Sequence, residues 1–168
     1  MGKRVVILVE RDFQDMEVMY PFYRLKEAGH EVVVVGSGSA KEYKGKFGYP
    51  VVADKNMDEV SAKDFDAVVV PGGWAPDFMR RYPKMVQLVA DMDKAKKPVA
   101  AICHAGWMLV SAKILKGRTV TCFSAIRDDV EAAGATWVDK EVCVDGNLIT
   151  SRKPDDLPAF MRELLKQL

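Results

Sequence analysis

The chain lacks most of the features that would assign it to a specialised class. It has only three cysteines, Cys103, Cys122 and Cys143, odd in number and far apart, so no disulfide framework is encoded. No CxxC pair or His-rich spacing marks a metal site, and a reducing cytoplasm is the compartment expected. No apolar run approaches the roughly 20 residues that a bilayer-spanning helix needs. Met1-Gly2-Lys3-Arg4 leads directly into a strand pattern, so no signal peptide is expected. Net charge is only +1, without the concentrated basic surface that nucleic acid requires. Lys94, Lys96 and Lys97 form the one basic cluster and read as a solvated helix end. No glycine-rich dinucleotide fingerprint or phosphate loop is present, and no repeat or long linker divides the chain. One domain over residues 1–168 is expected, with enough length and 49% hydrophobic residues to build a core.

What is present alternates. RVVILVE, EVVVVG, DAVVVPGG and PVAAI are near-continuous apolar runs, the pattern of parallel strands covered on both faces. Between them, EVMYPFYRLKEAGH carries Val18, Phe22 and Leu25 at helical spacing and stops at Gly29, with Pro21 marking a kink or a first turn. Lys41 to Asp54 reads as a hairpin or extended arm, and Pro83–Ala95 and Ala105–Leu115 as helices. GRTVTC then reads as a strand, AIRDDVEAAG as a helix, and EVCVDGNLITS as a hairpin with a type I′ turn at Asp145-Gly146. An amphipathic helix with Leu157, Phe160, Met161, Leu164, Leu165 and Leu168 on one face closes the chain. The class is α/β, with a mainly parallel sheet and helices on both faces.

Ligands of such sheets bind beyond the carboxyl ends of the strands. Three features fall there: the Glu10–Glu17 loop, Pro71-Gly72-Gly73, and Cys103-His104. A cysteine at a strand-to-helix corner stands clear of its neighbours, and a helix start favours its thiolate. The His104 N–H, with one from Gly73 on a neighbouring strand, is placed to receive an oxyanion. His104 is either a general base or only a helix-start residue, because adjacency alone does not orient an imidazole. Cys122 and Cys143, in alternating strand patterns, read as core cysteines, and His30 as structural.

The combination of AICH after a PGG strand with DFQDMEVMYPF upstream and KGKFGYPVVAD, LKGRTVT and DGNLITSR elsewhere resembles the PfpI family of intracellular cysteine peptidases and deglycases. That family lies within the DJ-one/PfpI superfamily, and the resemblance implies a flavodoxin-like fold related to class I glutamine amidotransferase domains. It implies Cys103 as nucleophile, His104 as its partner, and Glu17 as a buried acid against the sulfur. It further implies Gly72, Gly73 and Trp74 as the oxyanion and substrate-binding segment; Trp74 and Trp107 either line or flank the mouth or serve as packing or interface residues. A glutamate from a neighbouring subunit orients the histidine in family hexamers; Asp77 stands at that position here, one methylene shorter. Ala105-Gly106 replaces the family's frequent Gly-Pro after Cys-His. The implied activity is hydrolysis without metal or cofactor, on peptides, glycated proteins or small carbonyl compounds, in a homodimer or hexamer. The alternative is a stress-response or redox-sensing protein that oxidises Cys103 without turnover.

Overall fold

The computed structural model describes residues 2–168. Eleven strands and six helices follow one another as β1 (Arg4–Val9), α1 (Asp15–Glu27), β2 (Glu31–Gly36), β3 (Glu42–Lys44), β4 (Pro50–Val52), β5 (Lys55–Asn56), β6 (Ala67–Val70), α2 (Ala75–Met79), α3 (Pro83–Lys94), β7 (Val99–Ile102), α4 (Gly106–Ser111), β8 (Thr119–Val120), α5 (Arg127–Ala132), β9 (Thr136–Trp137), β10 (Cys143–Asp145), β11 (Leu148–Ser151) and α6 (Leu157–Lys166). Seven strands form one sheet in the order β10-β11-β7-β6-β1-β2-β5. Its pairings are parallel except β10 with β11. The central strands are built from Val, Ile, Leu and Ala and are buried along almost their whole length, as strands covered on both faces must be. The helices surround the sheet in two groups, α1 packing with α6 and α4 with α2, α3 and α5.

Chain direction across the sheet reverses at β1, whose neighbours are β2 on one side and β6 on the other. The carboxyl ends of β1 and β6 therefore diverge into a crevice, the position where open α/β sheets bind ligands. The loops that line it are pinned together. Phe13 and Gly73 form an isolated antiparallel bridge, the Gln14 N–H donates to the Gly72 carbonyl (3.1 Å), and the Trp74 N–H donates to the Asp12 carbonyl (2.9 Å).

Several sequence expectations change in detail. Pro21 lies inside α1 instead of at its start, because the Gln14 side chain caps the helix further upstream by accepting from Met16 and Glu17 N–H. The helix after Cys103 is shorter than Ala105–Leu115: it closes at Ser111, and Lys113 has φ +58°. GRTVTC contributes only β8, which pairs with β9 outside the main sheet. The β10–β11 turn has Gly146 and Asn147 as its central residues, since Asp145 still pairs with Leu148. Only Gly146 of the two has positive φ (+61°), which fits a II′ turn and not I′. Lys97 is no solvated helix end, for its Nζ donates to the carbonyls of Ala62 (2.8 Å) and Phe65 (2.5 Å).

The segment 41–54 is the expected hairpin, β3 paired with β4, and its tip rests against the start of α1. The buried Asp15 carboxylate accepts the Phe47 and Tyr49 N–H groups, each at 3.0 Å. Asp15→Ala leaves both donors without this partner, so unfolding by denaturant should become easier by about 1–3 kcal/mol. Amide exchange at Phe47 and Tyr49 should accelerate; unchanged protection there would show that something else holds the arm.

Candidate active site

Cys103 follows the last residue of β7 and opens a single 3₁₀ turn, Cys103–Ala105, before α4. Its backbone lies at φ +62°, a conformation that costs a residue with a side chain of order 1–3 kcal/mol. The corner expected from sequence is therefore a strained one. It directs the sulfur toward the crevice, where Sγ lies 3.2 Å from Nδ1 of His104. The backbone N–H groups of Gly73 and His104 also donate toward that sulfur. These are the two donors expected to receive an oxyanion.

Glu17 reaches the same point from the first turn of α1 and is completely buried. Oε2 accepts the Gly72 N–H at 2.7 Å. Oε1 has no fixed donor, and the carboxyl neighbours the Cys103 thiol. Gly72 thus has a different task from the one expected: its N–H holds the acid and is not free for substrate. Both glycines are dictated by crowding. A Cβ on Gly72 would lie 2.7 Å from Cys103 Cβ and from Glu17 Oε2; one on Gly73, at φ +73°, would lie 2.5 Å from Asp12 O and Gln14 N.

Burial pushes Glu17 up to about 8, against the opposing pull of the Gly72 hydrogen bond, the Cys103 contact and Lys46. Near neutral pH it is an acid with its proton, and Oε1 is the oxygen with no other partner. Cys103 departs from the expectation of a lowered thiol pKa. Burial first, and then the charge of an ionised Glu17, push it up to about 12, outweighing the Gly73 and His104 N–H groups. Only 7% of the residue is exposed, and the six-residue α4 is separated from Cys103 by the 3₁₀ turn, so its dipole contributes little. Burial and then the Lys46 charge lower the His104 pKa, so its imidazole is neutral and Nδ1 can accept a proton.

Trp74 stands at the mouth, 58% exposed, with its ring 5.9 Å from that of His104. Trp107 meets His104 edge-on at 5.2 Å. Phe123, three residues past β8, stacks on it at 4.8 Å; nothing in the sequence singled it out. Asp77 does not meet His104 within the chain: it pairs with Arg81 one turn along. Cys122 is buried and Cys143 half-buried, its Sγ donating to the Thr119 carbonyl, so only the first is a core cysteine in full. Among the described residues, no three His, Cys, Asp or Glu side chains gather as metal ligands, and no helix is long and apolar enough to cross a membrane.

The titration of Glu17 carries a stability signature. Unfolded, the carboxyl ionises near 4.5; folded, it keeps its proton to about 8. Its contribution is thus fully present below 4.5, is lost as pH rises between these values, and stays lost above. Glu17→Gln does not titrate, so the melting temperature of the variant relative to wild type should climb from pH 4.5 to 8 and then level. A constant difference across that range would mean that Glu17 is ionised in the folded protein.

The chain is similar to several known proteins. A deglycase of Thermococcus kodakarensis is 49% identical over 165 residues, covering 98% of this chain and 99% of that protein. The deglycase PfpI of Pyrococcus furiosus is 47% identical with the same coverage. In a crystal structure from Anabaena variabilis with DJ-1/ThiJ/PfpI-like and ferritin-like domains, the match has a TM-score of 0.96 at 46% identity and covers 98% of this chain. This chain spans 48% of that two-domain protein. Residues 3–167 match the DJ-1/PfpI family description, and the chain belongs to that family.

Proposed function

We propose that the chain is a cysteine-dependent hydrolase of carbonyl adducts, a deglycase with glyoxalase-type chemistry, in which Cys103 is the nucleophile. One observation carries this: a strained, nearly buried cysteine with a neutral imidazole nitrogen 3.2 Å from its sulfur and two backbone N–H groups beside it. Relatives named as deglycases support the same reading.

With methylglyoxal as the simplest substrate, sulfur adds to the aldehyde carbon as the thiol proton passes to His104 Nδ1, so the thiolate exists only during attack. The new oxyanion takes the Gly73 and His104 N–H groups, then collects a proton to give a hemithioacetal. Glu17 or His104 takes the proton from C1 and returns it to C2, the C1 hydroxyl proton passes to the C2 oxygen, and the C1 oxygen becomes the carbonyl of a lactoyl thioester. Water cleaves the thioester, returning the thiol and releasing lactate. The net reaction is hydration and internal redox of the dicarbonyl, with no external oxidant or cofactor. An adduct with an amine would enter the same path once its carbonyl is exposed and would release the amine.

With only 7% of Cys103 exposed, short carbonyl compounds suit the sulfur better than polypeptide, and peptide cleavage is secondary in this reading. The redox-sensing alternative needs an accessible sulfur of low pKa, and Cys103 is 7% exposed with its thiol pushed up. Wild-type protein should release lactate from methylglyoxal, Cys103→Ser none, and His104→Ala roughly 10²-fold less. Lactate that persists in Cys103→Ser, or its absence beside rapid cleavage of a fluorogenic peptide, would overturn the assignment.

The functional unit is a homo-oligomer in this reading, dimer or hexamer. Met16 and Tyr23 on α1 and Phe47, Tyr49 and Val52 on the β3–β4 arm are exposed, and Met19 lies beside both groups. These exposed apolar side chains are what a second copy would cover in this reading. Light scattering should return a multiple of 18.7 kDa. Met16→Lys with Tyr23→Glu should reduce it toward a single chain, and a wild-type mass of one chain would reject assembly.

A further inference from the structure

We propose that a second cavity, over the carboxyl end of β1 between the β2–β3 loop and α2, binds a phosphorylated sugar. Arg11 and Arg81 take the phosphate, and Glu42 and Ser39 take the hydroxyls. This site stands apart from the chemistry at Cys103, and neither reading needs the other.

The cavity holds about 390 Å³ and opens beside the strand at which chain direction across the sheet reverses. Open α/β sheets bind ligands in that place, and the volume is that of a small-molecule pocket. Its floor is fixed. Glu10 directly follows β1 and is 3% exposed. Its carboxylate accepts the Arg11 N–H (2.8 Å), the Ser39 hydroxyl (2.8 Å) and the Ser37 hydroxyl. The Tyr43 phenol oxygen accepts the Gly38 and Ala40 N–H groups, both at 3.2 Å. Cys103, His104 and Glu17 do not line this cavity, nor do the apolar residues assigned above to contact with a second copy.

One ring positions two cations. The Arg11 guanidinium lies 4.0 Å from the centre of the Phe78 ring, and that of Arg81 lies 4.8 Å from it. A stacked guanidinium keeps its N–H edges available, the fork that a phosphate accepts bidentately. Asp77 answers Arg81; among the described residues Arg11 has no carboxylate partner, so two like charges share a ring with one counter-ion. Lys44 adds a third cation to the wall. Glu42 and Ser39 also line the cavity, and a carboxylate outside any ion pair among the described residues suits a hydroxyl donor. A nucleotide fits less well. The Phe78 ring is already covered by guanidiniums, leaving no face for a base, and Glu10 and Glu42 oppose a polyphosphate. A single phosphate on a polyhydroxy chain matches both kinds of lining.

Calorimetry on the full-length protein in its own assembly tests this with sorbitol 6-phosphate, which has no carbonyl for Cys103 to attack. One molecule should bind per chain. Sorbitol and inorganic phosphate should each bind roughly tenfold more weakly or worse. Arg11→Gln and Arg81→Gln should each weaken sorbitol 6-phosphate by roughly tenfold, and Arg11→Lys, which lacks the fork, should restore it only in part. Glu42→Gln should weaken sorbitol 6-phosphate several-fold without weakening inorganic phosphate. Arg11 and Glu42 are exposed, so the melting temperatures of these variants should match wild type. Cys103→Ser should bind as wild type does.

No binding to the wild-type protein would overturn the site. Binding lost in Cys103→Ser and kept in Arg11→Gln would move the ligand to the catalytic crevice and overturn it equally. Inorganic phosphate held as tightly as sorbitol 6-phosphate would overturn the sugar, leaving an anion site alone.

Discussion

The hydrogen bond from the Gly72 N–H to the Glu17 carboxyl holds the site together. It joins the end of β6 to the first turn of α1, with Cys103 pressed against both. Elements far apart in sequence meet within a few ångströms, with no room for a single added carbon at Gly72. The isolated bridge between Phe13 and Gly73 and the bonds around Asp12 and Gln14 repeat the same join one residue away. Strain at Cys103 persists because this surround permits no other arrangement. The valine-rich strands beneath provide the rigid ends from which the loops project, so a core with no part in the chemistry fixes the geometry of the sulfur.

Much of this was legible in the sequence. Four apolar runs separated by helical periodicity imply a parallel sheet, and strand ends imply the crevice, since both follow from local pattern and connection rules. The cysteine at its corner and the glycine pair after β6 were visible for the same reason: each sits where a strand stops. GRTVTC read as a strand and does contain β8, but alternation says that a strand exists and not which sheet it joins. The turn at Gly146 was misjudged by one residue because Asp-Gly fits two registers, and pairing of Asp145 with Leu148 selects the second. Lys97 read as solvated because its carbonyl partners lie more than thirty residues upstream.

The site's least legible features are those that depend on non-local burial. A helix start beside a cysteine argues for a thiolate, but the argument assumes solvent around the sulfur and a helix long enough to matter. Neither condition is met, and the desolvation of a nearly buried thiol is the larger effect. Phe123 could not be selected from sequence either. It follows β8 by three residues, and only the fold brings that loop over the imidazole. Asp77 was selected by its place in the chain, and Arg81, just beyond the end of α2, captures it locally.

These pieces make one electrostatic arrangement. At neutral pH the acid, the thiol and the imidazole are each uncharged, which is what a crowded, water-poor pocket favours, because a lone buried ion there would cost several kcal/mol. Charge then appears only as sulfur engages a carbonyl, when an imidazolium and an oxyanion form together. Donors for the oxyanion are already in place in the Gly73 and His104 backbone, and they need no reorientation at that moment. Had the sulfur rested as an anion, the same N–H groups would already be committed to stabilising it, and attack would have to draw that stabilisation away. A neutral resting pocket leaves it for the adduct, so burial of the nucleophile works for the reaction and not against it.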